Sequence, residues 1–123
     1  MTAADRITIY EKPTCTTCRQ VHGALRDAGV DFDAVDYYLE PLTVARLRDL
    51  IRKTGLAARD LLRTREPMFA EVNPEGRDLS DSEAIDLMIR YPDLLQRPIV
   101  ERGDRAILAR PAERLGDFLK EGR

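Results

Sequence analysis

The stretch Tyr10–Gln20 reads YEKPTCTTCRQ and carries both cysteines of the chain, Cys15 and Cys18. It continues from RITIY (Arg6–Tyr10), whose alternation and β-branched residues predict a first strand. Pro13 and the threonines stop that strand. From Thr17 to Ala28, Val21, Ala24, Leu25 and Ala28 fall at helical spacing, and Gly29 supplies the stop. Cys15 is therefore expected in the turn between strand and helix, where unpaired backbone N–H groups and the helix dipole favour an anion. A free cysteine with a pKa of ~8.5 is only about 3% thiolate at pH 7, and a helix N-terminus raises that fraction. Cys18, about one helical turn further on, is near enough to form a disulfide with Cys15 after modest adjustment. A C-x-x-C beside a βαβ pattern is a redox signature.

Two other uses of the pair compete with redox chemistry. A structural zinc site needs four ligands, and with His22 as the sole histidine the chain offers no closed Cys/His set. Cys18 can also serve simply as a core residue, because the Cys18–Val21–Leu25 spacing points it along the apolar face of the helix. His22 reads as an exposed helix residue.

The rest of the chain supplies the frame. Phe32–Tyr37 alternates and predicts a second strand. Leu39–Gly55 reads as a helix that Thr43 can cap and Gly55 ends, with Val44, Leu47, Leu50 and Ile51 as its stripe. A shorter helix is expected at Ala57–Leu62, and Thr64–Asp78, with Pro67, Pro74 and Gly76, reads mostly as loop. Ser80 and Glu83 form a capping box for a helix through Ile85, Met88 and Ile89, closed by Tyr91–Pro92. Ile99–Glu101 and Arg105–Ala109, joined by Arg102-Gly103-Asp104, predict a hairpin. Pro111 sits where a first-turn proline would open a last helix carrying Leu115, Phe118 and Leu119. The order is β-α-β, a helical insertion at about 39–92, then β-β-α.

With 123 residues, 43% of them hydrophobic and 34% charged, the chain is expected to form one soluble globular domain over 1–123. No apolar stretch reaches membrane-spanning length, and MTAADR lacks the apolar core of a signal peptide, so a cytoplasmic location is expected, with no membrane partner. In that reducing compartment a close cysteine pair is catalytic or metal-binding more often than a structural staple. A net charge of −2 argues against a nucleic-acid partner. The 20 basic residues comprise 17 Arg and only Lys12, Lys53 and Lys120, so a single arginine says little by itself.

Four segments in fixed order say more. YEKPTCTTCRQ, DLLRTREP (Asp60–Pro67), RPIV (Arg97–Val100) and LARP (Leu108–Pro111) resemble the ArsC family of thioredoxin-fold arsenate reductases, with the Spx regulators as close relatives. The resemblance runs from Ile7 to about Phe118. It implies an α/β fold, a thioredoxin-like mixed four-stranded sheet flanked by helices, with the helical insertion between the second and third strands and Arg97–Pro98 at the cis-proline position. It also implies Cys15 as the nucleophile, with Arg63, Arg97 and Arg110 holding the arsenate oxyanion. Guanidinium forks suit that task, because they bind tetrahedral oxyanions with bidentate, charge-assisted bonds of roughly 1.5–3 kcal/mol each. The implied reaction needs no bound metal or organic cofactor. Its electrons come from a thiol co-substrate, glutathione with glutaredoxin or else thioredoxin, and the family's habit is monomeric.

The chain departs from the best-known members twice. Glu11 stands where they carry histidine, and Cys18 stands where they carry a hydroxyl residue. A carboxylate near Cys15 opposes ionisation, so Glu11 is expected to turn away or to pair with a cation such as Lys12 or Arg110. Cys18 becomes a candidate resolving thiol, which would suit thioredoxin as reductant. An Spx-like redox-sensing regulator of RNA polymerase is the alternative from another class, favoured by the C-x-x-C and opposed by LARP. A general thiol–disulfide oxidoreductase is a third reading, weakened by the absence of an aromatic residue flanking the cysteines.

Overall fold

The computed structural model describes residues 6–121. The MTAADR stretch lies outside them apart from Arg6. Among the described residues no helix is long and apolar enough to cross a membrane. The chain divides into two compact units, one formed by the segments up to Glu40 and from Arg97 onward, the other by Pro41–Gln96.

The first unit is built on a four-stranded sheet in the order β2-β1-β3-β4, from β1 (Ile7–Glu11), β2 (Phe32–Asp36), β3 (Ile99–Arg102) and β4 (Arg105–Leu108). β1 pairs parallel with β2, from Ile7 opposite Phe32 to Glu11 opposite Asp36, and antiparallel with β3, where Ile9 faces Val100. The β1–β2 crossover is α1 (Thr16–Asp27), and α5 (Arg114–Glu121) follows β4. This is the mixed sheet that the resemblance implied.

Alternation along β1 sends Ile7 and Ile9 to one face, where they join Val100, Val21 and Leu25 of α1, Ala109, and Leu115 and Phe118 of α5 in one core. Each such aliphatic side chain contributes about 1.5–3 kcal/mol on full burial. Gly29, with φ +70°, turns the chain out of α1 towards β2. β3 and β4 form the expected hairpin, with Arg102 opposite Arg105 across a two-residue turn and Gly103 at φ +60°.

The second unit carries the helical insertion. α2 (Val44–Thr54) is shorter than the expected 39–55 helix and begins where Thr43 Oγ1 accepts from the Arg46 N–H at 3.0 Å. Gly55 ends it at φ +74°. α4 (Asp81–Arg90) has the predicted capping box, with Ser80 Oγ accepting from the Glu83 N–H at 3.2 Å and the Glu83 carboxylate accepting from the Ser80 N–H at 3.1 Å. α2 packs against α4.

Two further expectations differ. Part of the segment read as loop forms α3 (Pro67–Val72), with Pro67 in the first turn, where the missing N–H costs nothing. Pro111, expected in that role, follows a cis bond and lies in a turn, and α5 begins only at Arg114.

Candidate active site

Cys15 is the N-cap of α1, with extended backbone (φ −79°, ψ 127°), and its Sγ accepts a hydrogen bond from the Cys18 N–H at 3.3 Å. A tight turn delivers it, since the Cys15 N–H donates to the Lys12 carbonyl at 2.9 Å. The sulfur thus occupies the position a serine or aspartate oxygen takes in an ordinary N-cap, at the positive end of the helix dipole. Burial alone would push the Cys15 thiol up. Hydrogen bonds from the Cys18 thiol and N–H, together with the charge and hydrogen bonding of Arg97, outweigh it and hold Cys15 below its ordinary value.

Cys18 is driven the other way. It is 0% exposed on the inner face of α1. Burial, then the hydrogen bond it gives Cys15, push its thiol up to about 12. The two sulfurs are therefore differentiated, with Cys15 inclined to the thiolate and Cys18 keeping its proton and donating it. The core-packing and redox readings of Cys18 are both compatible with this placement.

Arg97 is 7% exposed and directly precedes the cis Arg97–Pro98 bond, in the position expected for it. Its neighbour is fixed by the hairpin. The pairing of Ile99 with Leu108 continues as an Ala109 N–H to Pro98 carbonyl bond of 2.9 Å, which brings residue 110 opposite residue 97. Arg110 Nη1 donates to the Arg97 carbonyl at 3.1 Å while the rest of its side chain stays exposed. Two of the three predicted arginines, Arg97 and Arg110, are thus adjacent, and Arg97 reaches Cys15. Arg63 belongs to the second unit, beside the Leu62–Leu95 bridge, with its guanidinium 3.5 Å from Glu66 and from the Asp93 carbonyl.

Glu11 has a different partner from the cations expected. Alternation places it on the same face as Ile7 and Ile9, towards α1, where it is 5% exposed. His22 Nδ1 lies 3.2 and 3.1 Å from its two carboxylate oxygens. A carboxylate only accepts, so Nδ1 carries the hydrogen. His22 is consequently a half-buried partner, packed edge-on against Phe32 at 5.0 Å, and not a free surface residue.

Tyr37 and Tyr38, just after β2, complete the surroundings and were not foreseen. Their rings stack at 5.1 Å, and Lys12 Nζ and Arg97 Cζ lie 4.8 and 6.0 Å from the Tyr38 ring centre. The usable signal was the parallel pairing of β1 with β2. It sets the carboxyl ends of both strands at one edge of the sheet, where open α/β folds place their ligands.

The sequence model of the ArsC family matches residues 10–118. The chain is 34% identical over 115 residues to an arsenate reductase of Rhizobium meliloti, covering 94% of this chain and 82% of that protein. It is 30% identical over 94 residues to the global transcriptional regulator Spx of Lactiplantibacillus plantarum, covering 76% and 71%. Among solved structures, an arsenate reductase from Vibrio cholerae superposes with a TM-score of 0.85 at 28% identity, covering 91% of this chain and 96% of that one.

Proposed function

Since this chain belongs to the ArsC family, we propose that it is an arsenate reductase with Cys15 as its nucleophile. The observation that carries the reading is the Cys15 sulfur, capping α1 and held below its ordinary pKa with Arg97 beside it. An anionic nucleophile and an anionic substrate repel each other unless cations are fixed between them. Arg97 supplies one guanidinium, and Arg110 a second that is anchored to its backbone. Arg63 is carried over from the family as the third arginine, its part to be tested by substitution.

In the first step the Cys15 thiolate forms an S–As bond, and one arsenate oxygen, protonated, leaves as water. In the second, a thiol attacks the Cys15 sulfur. The S–As bond breaks with its electron pair staying on arsenic, which passes from the pentavalent to the trivalent state as two thiols become a disulfide. Cys18 is the nearest thiol, and its reaction would leave a Cys15–Cys18 disulfide for thioredoxin to reduce. Glutathione would instead leave a mixed disulfide for glutaredoxin. The protein acts as a cytoplasmic monomer without a bound cofactor.

Arsenate-dependent NADPH oxidation, measured separately with the thioredoxin and the glutathione–glutaredoxin systems, tests the proposal. Turnover with either donor supports it, and none with both rejects it. The similarity to Spx and the hydrogen-bonded C-x-x-C favour a redox-sensing regulator as the second reading. That reading expects Cys15–Cys18 oxidation by peroxide to change binding to RNA polymerase, with no arsenate turnover.

A further inference from the structure

Arg97 carries a buried charge, and a guanidinium in that setting needs fixed acceptors to hold one orientation. Tyr37 is 3% exposed and directly follows β2, the strand beside the one that leads to Cys15. Its phenol oxygen accepts a hydrogen bond from Arg97. The Tyr38 ring stacks on Tyr37 at 5.1 Å and presents its own face 6.0 Å from the Arg97 guanidinium carbon. The titratable and charged groups around this guanidinium are Cys15 at the N-cap of α1, Cys18 on α1, Lys12 ahead of them, Tyr37 and Tyr38 after β2, and Arg110 beyond β4, which bonds the Arg97 carbonyl.

We propose that Tyr37 is a positioning residue for the nucleophile: its buried hydroxyl holds the Arg97 guanidinium against the Cys15 sulfur. The inference rests on the functional reading only in taking Cys15 as the reactive thiol. The geometry requires a chain of two contacts, Tyr37 to Arg97 and Arg97 to Cys15. Without the first, the guanidinium gains freedom to swing away towards solvent or another acceptor, and the thiolate loses part of its stabilisation. Burial pushes the Tyr37 phenol well above its ordinary value, so it stays a neutral acceptor throughout the range in which Cys15 titrates.

The test is the pH profile of Cys15 alkylation by iodoacetamide in the full-length protein, located by peptide mass mapping. Tyr37→Phe removes one oxygen and keeps the ring. It should slow alkylation at pH 7 by roughly two- to fivefold and displace the profile to higher pH, with the high-pH limiting rate unchanged. In an Arg97→Gln background the same change should do nothing further, because Tyr37 acts through that guanidinium. A profile that overlays the wild type, or an equal displacement in both backgrounds, overturns the proposal. If Tyr37→Phe does not fold, 3-fluorotyrosine placed at position 37 decides the matter. Its oxygen is a weaker acceptor of nearly the same size, so a smaller displacement to higher pH supports the role and none refutes it. No arm uses arsenate, so failure to reduce arsenate and failure of Tyr37 to position Arg97 give separate results.

Discussion

Replacing Cys18 separates its packing from its chemistry, because the two roles respond to different substitutions. The sulfur is fully buried on the inner face of α1 and hydrogen-bonded to Cys15. Cys18→Ala removes one buried heavy atom, which costs about 1 kcal/mol if sulfur is scored like a methylene. Cys18→Ser buries a hydroxyl, at about 1–3 kcal/mol, partly offset because the hydroxyl can still donate to Cys15. Both losses are small against the 5–15 kcal/mol typical of a domain. Both variants should therefore fold, with a lower urea midpoint and an unchanged slope. Activity should divide differently. With thioredoxin as donor both variants should fall to background, since no internal thiol remains to expel arsenite from the Cys15 adduct. With glutathione and glutaredoxin, Cys18→Ser should keep most of its turnover, and Cys18→Ala should lose more because it also deletes the hydrogen bond that steadies the Cys15 thiolate. Intact mass after arsenate treatment without external thiol gives the direct readout. The wild type should lose two hydrogens and Cys18→Ser should not. Wild-type thioredoxin-supported turnover in Cys18→Ser would refute a resolving role and leave Cys18 as packing alone.

The same cysteine sets an alkaline limit. Its folded value, about 12, lies well above the ~8.5 of a free thiol, so between those pH values the folded chain keeps a proton that the unfolded chain has released. Stability should accordingly be full below about pH 8.5 and fall as pH rises towards 12, by at most about 1.4 kcal/mol per pH unit, and urea midpoints for Cys18→Ala should be flatter over that range. Arg110→Lys keeps the charge and loses the planar fork, so arsenate KM should rise roughly tenfold for one lost charge-assisted bond while thermal unfolding is unchanged. Ser80→Ala removes the cap of α4 and should lower stability by about 1 kcal/mol in urea unfolding, without effect on Cys15 alkylation at pH 7.

Much of the site was legible because its determinants are local. The N-cap placement of Cys15 follows from a strand, a proline and a helical stripe within one short stretch. Arg97 and Arg110 come from the family resemblance, and the hairpin, whose turn residues announce themselves, is what sets them side by side in the fold. The capping box at Ser80 and Glu83 is equally local. What was not legible depends on side chains from separate elements meeting. Glu11 is expected from the sequence either to turn away from Cys15 or to pair with Lys12 or Arg110, and the residue that meets it stands eleven positions away on α1. The alternation that buries Ile7 and Ile9 extends to Glu11, so the face was inferable, but nothing local selected His22. Tyr37 reads as the last residue of an alternating strand and Tyr38 as the residue after it, and only the β1–β2 register gives them a place beside Arg97. Pro67 and Pro111 exchanged their expected roles because a first-turn proline and a turn proline have the same one-letter signature. The flanking residues did not distinguish them.

The hairpin between the two arginines also behaves as a ruler. Arg97 and Arg110 face each other because every residue from Ile99 to Arg102 is matched by one from Arg105 to Leu108, and the Ala109–Pro98 bond extends that match. Point substitutions at the exposed hairpin tip leave this count intact. A single residue inserted at Gly103-Asp104 must either be absorbed as a bulge or slide β4 along β3 by one position. Sliding would move Arg110 off the Arg97 carbonyl and send the side chains of β4 to the wrong faces of the sheet. The tip should therefore tolerate many changes at Asp104, few at Gly103, whose φ of +60° disfavours any side chain, and few changes of length.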